Sequence, residues 1–443
     1  MQHEMFGYYL TLAWQRCRKN LPMVALLILT MAIGIASCMT ALTIFAALSG
    51  DPLPGISGHL YVATMDARTE KSGDNSQYTK PNSYLGFTDA KALVDMHRAH
   101  GQSAFAQSYQ QVGDADGAHS DQVAGLMAYG QAIELLGVSL RYGRTWTPAE
   151  EQQRAPLVAI DTELARKLFG TEDAVGRNVH MGQRLFRVVG VFAPWKPRTK
   201  FMDLPHNSGQ VLEQSQQFFI PVQAALDGGV GPMTLGDCEK GVALVSFQST
   251  EVGQCRWLEV WLSLGSAAEV GTYQRLISDY GATEHSAGRF TYAPQTRLFG
   301  TGEWMAANHV VPDDVEVNMM LASGFLLLCM VNVAGILAAY FLRRQADTVI
   351  RRALGASQRQ LFAQHVLEAG LLGLAGGVLA LPLTLLGLQI VKMQPVAYAE
   401  TAHFDVTVFS GLLVLSVAVG LVVGILPAWH VCRLPPALLI KQG

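Results

Sequence analysis

Four apolar runs, residues 21–48, 317–342, 361–391 and 406–430, limit the fold of this chain more than any other feature. Each exceeds the about 20 residues that carry a helix across a ~30 Å hydrocarbon core. Inside a bilayer only helices and closed barrels satisfy their own backbone groups. The runs therefore predict a membrane protein with four transmembrane α-helices in a 1 + 3 arrangement. Arg16, Arg18 and Lys19 precede the first run, Arg343, Arg344, Arg351, Arg352 and Arg359 separate the second from the third, and Arg433 and Lys441 follow the fourth. The positive-inside tendency then puts both termini and the 343–360 segment in the cytoplasm, and sends residues 49–316 and the short 392–405 loop to the far side.

The flanks fit this plan. Within residues 1–20, Phe6, Tyr9, Leu10, Ala13 and Trp14 share one face at helical spacing, the pattern of an amphipathic segment lying on the cytoplasmic surface. A simple extension of the first span is the alternative. Residues 431–443 form a cytoplasmic tail. Cleavage of the first run as a signal peptide is disfavoured, because it continues about ten residues past Cys38, beyond the length of a signal-peptide core.

Residues 49–316 are enough chain for a substantial folded unit of one or two subdomains. Half of all residues are hydrophobic and 15% are charged. A formal net charge of −3 gives no reason to expect a nucleic-acid partner. Leu157-Val158-Ala159-Ile160 reads as a strand, and Asp161 can cap a helix through Phe169 that Gly170 closes. Met181-Gly182-Gln183 reads as a turn before a strand at Leu185–Phe192. Farther on, Leu258–Leu264 reads as a strand and Ala267–Tyr280 as a helix, and Tyr84–His100 also looks helical. Mixed elements of this kind predict an α+β extracytoplasmic domain inserted between the first and second spans. Two stretches, Ser108–Ala118 and Arg198–Gly209, carry little pattern.

Chemistry-bearing motifs are sparse. The sequence has no G-x-x-x-x-G-K-[ST], H-E-x-x-H, C-x-x-C or G-x-S-x-G. The histidines lack metal-ligand spacing, and pairs such as Asp313-Asp314 and Glu150-Glu151 read as solvated loop residues. Enzymatic activity, a catalytic site, a bound cofactor and a metal are accordingly not expected in this chain. Cys17, Cys38, Cys329 and Cys432 read as small apolar fillers. Cys238 and Cys255 are the two cysteines of the extracytoplasmic region, and an oxidising compartment favours a disulfide between them, although spacing alone does not fix whether their Cα atoms reach bonding range.

Within the spans, Gly373 with Gly377 and Gly420 with Gly424 form GxxxG patterns that let helices approach closely, for packing within the chain or for dimerisation. Glu368 and His365 share a helix face, and an ionisable residue in a span is costly enough to invite a functional reading. Their position near the cytoplasmic end favours a structural hydrogen bond to the arginine-rich segment. Asn332 reads as an interhelical polar contact.

The arginine-rich segment has its own punctuation. Gly355 is a helix stop, and Ser357 with Gln360 is a capping-box start for the next helix. A short basic helix at the membrane face, carrying Arg343, Arg344, Asp347, Arg351, Arg352, Leu354, Gly355, Ser357 and Arg359, suits the docking of a cytoplasmic partner.

With Ile350-Arg351-Arg352-Ala353-Leu354-Gly355-Ala356-Ser357, then Glu368-Ala369 and Gly376-Gly377, the chain resembles the MacB/FtsX-type (type VII) ABC transporter permeases. Gly424-Ile425-Leu426-Pro427-Ala428-Trp429 and Arg433-Leu434-Pro435-Pro436-Ala437-Leu438 are similar to the C-terminal signature of that family, and Leu157–Val191 to its periplasmic core. Asp347-Thr348-Val349 departs from the Glu-Ile-Gly common there. The resemblance implies a dimeric permease, with a second permease copy or a homologue, in a bacterial inner membrane and with its large domain in the periplasm. It further implies two copies of an ABC ATPase that hold ATP and Mg, and a coupling helix within residues 343–360 that docks on them. ATP hydrolysis would drive periplasmic conformational change (mechanotransmission) for efflux or export of a drug, peptide or other periplasmic substrate, with a periplasmic adaptor and outer-membrane channel as further partners. Lipoprotein release or cell-wall-hydrolase activation by the same architecture stays open. So does a membrane-anchored periplasmic sensing or binding protein without an ATPase.

Overall fold

The computed structural model describes residues 21–66, 84–205, 214–235, 237–238, 255–343, 357–395, 398–399 and 406–433. Its longer helices are α1 (Leu21–Leu48), α2 (Phe87–Asp95), α3 (Thr162–Phe169), α4 (Ala267–Ser286), α5 (Asp313–Leu342), α6 (Gln358–Lys392) and α7 (Val406–Arg433). Its strands are β1 (Leu60–Asp66), β2 (Gly101–Asp114), β3 (Ser120–Gly130), β4 (Leu140–Gly143), β5 (Leu157–Asp161), β6 (Asn178–Met181), β7 (Arg184–Phe192), β8 (Phe218–Pro221), β9 (Asp237–Cys238), β10 (Cys255–Arg256), β11 (Glu259–Ser263) and β12 (Gln295–Gly300). The chain divides into two units: residues 50–310, and residues 1–49 together with 311–443.

Residues 50–310 build a mixed sheet in the order β12-β1-β11-β2-β3-β8-β5-β7-β4, with β6 bridging β2 and β7. The β3–β8 and β5–β7 pairs are parallel and the others antiparallel. Side chains are buried on both faces. One core gathers Ile160, Leu164, Phe186, Val188, Phe218 and Trp257, and the other Phe105, Trp146, Phe192, Phe201, Phe219 and Trp261. Trp261 stacks on Phe105 with ring centroids 6.3 Å apart and meets Phe201 edge-on at 5.2 Å. Gly125 on β3 is required by the neighbouring strand: a Cβ there would lie 2.4 Å from the Phe218 ring.

Local chemistry sets α3 as its sequence indicates. The Asp161 carboxylate accepts from the Leu164 N–H at 2.7 Å, and Gly170 closes the helix at φ 70°, a conformation that glycine adopts without the Cβ penalty. The helix expected over 84–100 is shorter, Phe87–Asp95: Leu85 pairs with Leu258 ahead of it, and His97 turns to φ 49° just past its end. Strand β2 pairs with β3 from Ser103↔Gly130 to Gly113↔Ser120, so the patternless Ser108–Ala118 stretch is the end of a hairpin and its turn. Cys238 and Cys255 face each other across β9 and β10 and are joined by a disulfide.

In the other unit, α1, α5 and α6 are each long and apolar enough to cross a membrane, and α7 extends over 28 residues. On α1, Val24, Leu27, Met31, Ile35 and Met39 turn inward at helical spacing while Leu26, Leu29 and Ile33 stay exposed. A helix apolar all round but buried on one face only is what a lipid-facing bundle helix requires. α5 begins at Asp313, ahead of the apolar run, with Asp313, Asp314 and Glu316 in its first turn, where carboxylates favour the helix dipole. α6 runs unbroken through Pro382, although the proline removes one backbone hydrogen bond.

Candidate functional site

α5 and α6 are consecutive span-length helices, and their joined ends frame the arginine-rich segment. Arg343, exposed, ends α5. Ser357 starts α6 with a reciprocal capping box: its hydroxyl accepts from the Gln360 N–H at 3.3 Å, and the Gln360 side chain accepts from the Ser357 N–H at 3.0 Å. Arg359 is exposed in the first turn. Arg344, Asp347, Arg351, Arg352, Leu354 and Gly355 lie outside the described residues.

In the last turn of α5 and nearly three turns into α6, a polar contact joins the pair. Tyr340 on α5 and Glu368 on α6 are both almost fully buried, and the Tyr340 hydroxyl donates to Glu368 Oε1 at 2.7 Å. His365 Nδ1 lies 4.0 Å from the second Glu368 oxygen, and its ring packs 4.6 Å from that of Phe341. Glu368 and His365 thus meet the tail of α5, and Tyr340 is a participant that sequence reasoning missed. A tyrosine three residues before an arginine at a span end reads as an interfacial anchor, which masked its inward role. Asn332 corrects the expectation of an interhelical contact: it is exposed on the outer face of α5, one helical position before the fully buried Val333.

The glycine pairs sit where α6 crosses α7. A Cβ on Gly373 would lie 2.9 Å from the Gly420 Cα, and one on Gly420 would lie 2.8 Å from the Gly373 Cα. Gly424 faces Ala369, whose Cβ is 2.2 Å from the position a Gly424 Cβ would take. Gly377 is buried on the same helix. Contacts of this closeness leave backbone on backbone and place this glycine set inside one chain's bundle. Further small-residue contacts, Gly34 against Cys329 and Gly376 against Met31, fix α1 on α5 and on α6.

Among the described residues no group of three or more His, Cys, Asp and Glu side chains is placed to hold a metal ion. What the geometry offers is a hydrogen bond from Tyr340 to Glu368 that joins the end of α5 to α6, with α5 and α6 each held against α1 by small-residue contacts at Cys329 and Gly376.

Comparison with known proteins agrees with this architecture. A sequence profile described as the MacB-like periplasmic core domain matches residues 24–255, and one described as the FtsX-like permease C-terminal matches residues 319–436. A macrolide export ATP-binding/permease protein MacB of Nitrobacter winogradskyi is 21% identical over 95% of this chain and 58% of its own length. An uncharacterized ABC transporter permease of Bacillus subtilis, YvrN, is 31% identical over 69% of this chain and 66% of its own. The periplasmic region of MacB from Actinobacillus actinomycetemcomitans, a crystal structure, aligns with 57% of this chain and 94% of that one at a TM-score of 0.36 and 15% identity. The chain spans 40–58% of the length of the first three curated relatives it matches. With one family profile covering more than half of its residues and a second covering its last three helices, the chain belongs to the MacB/FtsX-type ABC transporter permeases.

Proposed function

We propose that this chain is the permease of an ABC transporter in which ATP hydrolysis, on an ATPase partner present in two copies, is converted into conformational change of a periplasmic domain. In this reading α1, α5, α6 and α7 are four spans of a bacterial inner membrane. Both termini and the arginine-rich segment are cytoplasmic, and two permease copies act together. ATP and Mg belong to the partner. The segment at the tip of the α5–α6 hairpin docks on the ATPase, and closure of the ATPase pair pushes the hairpin. The periplasmic domain then acts on an exported substrate, with a periplasmic adaptor and an outer-membrane channel as its companions.

The observation that carries this reading is the α5–α6 hairpin. Two span-length helices tied by the Tyr340–Glu368 hydrogen bond flank a segment that contains Arg344, Arg351 and Arg352. Substituting Arg351→Glu and Arg352→Glu together is expected to abolish co-purification of the ATPase in mild detergent while leaving membrane insertion intact. Undiminished ATPase recovery and unchanged transport-coupled hydrolysis would refute the docking assignment.

A further inference from the structure

Asn332 stands on α5 ten residues before its last residue, Leu342, or about 15 Å along the axis at ~1.5 Å per residue. Arg343 follows at the end of the helix. In a span, Asn332 therefore lies near the middle of a ~30 Å hydrocarbon core. It is exposed, and among the described residues its side-chain amide has no hydrogen-bond partner. An asparagine amide carries two N–H donors and an oxygen acceptor, and acyl chains satisfy none of them.

Other exposed polar side chains on the span-length helices solve this problem inside their own helix. The Thr30 hydroxyl donates to the Leu26 carbonyl at 2.8 Å, and the Ser323 hydroxyl donates to the Met319 carbonyl at 2.8 Å. Asn332 makes no such bond back to its helix. Its partner must then come from outside the chain, at the same depth, with both a donor and an acceptor. A second copy inserted in the same direction meets all three conditions, because it brings its own Asn332 to that depth. The amide is self-complementary: each N–H donates to the oxygen of the other, as a two-fold axis requires. Leu328 and Val331, exposed beside it on α5, supply apolar packing around the pair.

We propose that Asn332 joins α5 to α5 of a second copy through a reciprocal amide–amide hydrogen bond in the middle of the membrane. The inference rests on the reading that two permease copies act together, and names the contact between them.

The test uses the full chain in membranes with its ATPase. Asn332→Cys is expected to form a copy-to-copy disulfide on mild oxidation, above the level in the unaltered chain. Leu327→Cys, also exposed but about 140° round the helix, is not. Energy transfer between donor- and acceptor-labelled copies, followed as liposomes are diluted with lipid, measures the association itself. Asn332→Leu is expected to weaken it about fivefold, while Asn332→Gln, which keeps the amide, retains most of it. Association of Asn332→Leu at wild-type strength, or equal cross-linking at the two cysteine positions, would overturn the contact and leave paired permeases in place. A wild-type chain that stays single in an assembly that hydrolyses ATP would overturn both.

Discussion

At the residue scale, burial of charge separates the side chains that tolerate a change of environment from those that respond to it. Glu150 and Glu151 are neighbours on one short helix with opposite fates. Glu150 is held down to about 2, chiefly by hydrogen bonds from Arg144 and then by the Thr147 N–H. Glu151 is buried, and desolvation raises its carboxyl to about 7 despite hydrogen bonds from the Gly130 N–H and from Trp146 Nε1. A carboxyl raised in the folded state contributes stability that is fully present below its unfolded pKa and is lost as pH rises through the folded one. For Glu151 that window runs from about 4.5 to about 7, and the shift corresponds to about 3 kcal/mol. Thermal unfolding of the extracytoplasmic unit, followed by tryptophan fluorescence on the full chain in detergent, should fall by several degrees between pH 5 and pH 8. Glu151→Gln keeps an acceptor for the same donors and is expected to flatten most of that fall. An unaltered pH dependence in the variant would assign the effect to other groups.

At the scale of elements, glycine placement decides how the membrane helices meet. Gly373 and Gly420 bring the α6 and α7 backbones together, while Gly335 on α5 has nothing within 4 Å of where its Cβ would be. Gly373→Leu and Gly420→Leu each require the helices to separate, and each should lower the melting temperature in detergent markedly, with losses in the overpacking range of about 1–3 kcal/mol or more. Gly335→Leu at an open position should be tolerated within about 1 kcal/mol, since a glycine in a helix interior is itself unfavourable by that amount. Equal effects at the three positions would contradict the packing. The elements that were legible in the sequence are the ones governed by local chemistry. β5 and α3 follow from the Asp161 cap and the Gly170 stop, and the start of α6 follows from Ser357 and Gln360. β2 was not legible, because consecutive side chains from Gln102 to Ala106 are all buried and leave no period-two alternation. Likewise nothing local pairs β1 with β12, whose register joins Tyr61 to Gly300. Glu368 stands out in the sequence as a costly residue with the arginine-rich segment as its expected partner, whereas the structure pairs it with Tyr340, which lies on the other side of that segment where no spacing rule reaches.

At the scale of the whole molecule, the partition between membrane helices and a mixed-sheet unit was the most legible feature, since a bilayer admits few solutions for apolar runs of this length. The boundary of α5 was not, because the apolar run begins at Val317 whereas the helix starts four residues earlier, with Asp313, Asp314 and Glu316 in its first turn. The two units have separate cores, and the chain passes between them in sequence at the end of α1 and at the start of α5. In the proposed function, force applied at the arginine-rich segment therefore reaches the periplasmic unit along α5, or through α1, on which α5 and α6 both pack. The most direct measurement of that claim is a spin-label distance between two permease copies, with Thr272→Cys labelled on the exposed face of α4 and the chain assembled with its ATPase in nanodiscs. The expected result is a distance distribution that shifts between the nucleotide-free and ATP-trapped states, and that stays fixed when Arg351→Glu and Arg352→Glu are introduced. Identical distributions with and without ATP, in an assembly that hydrolyses ATP, would contradict mechanical transmission.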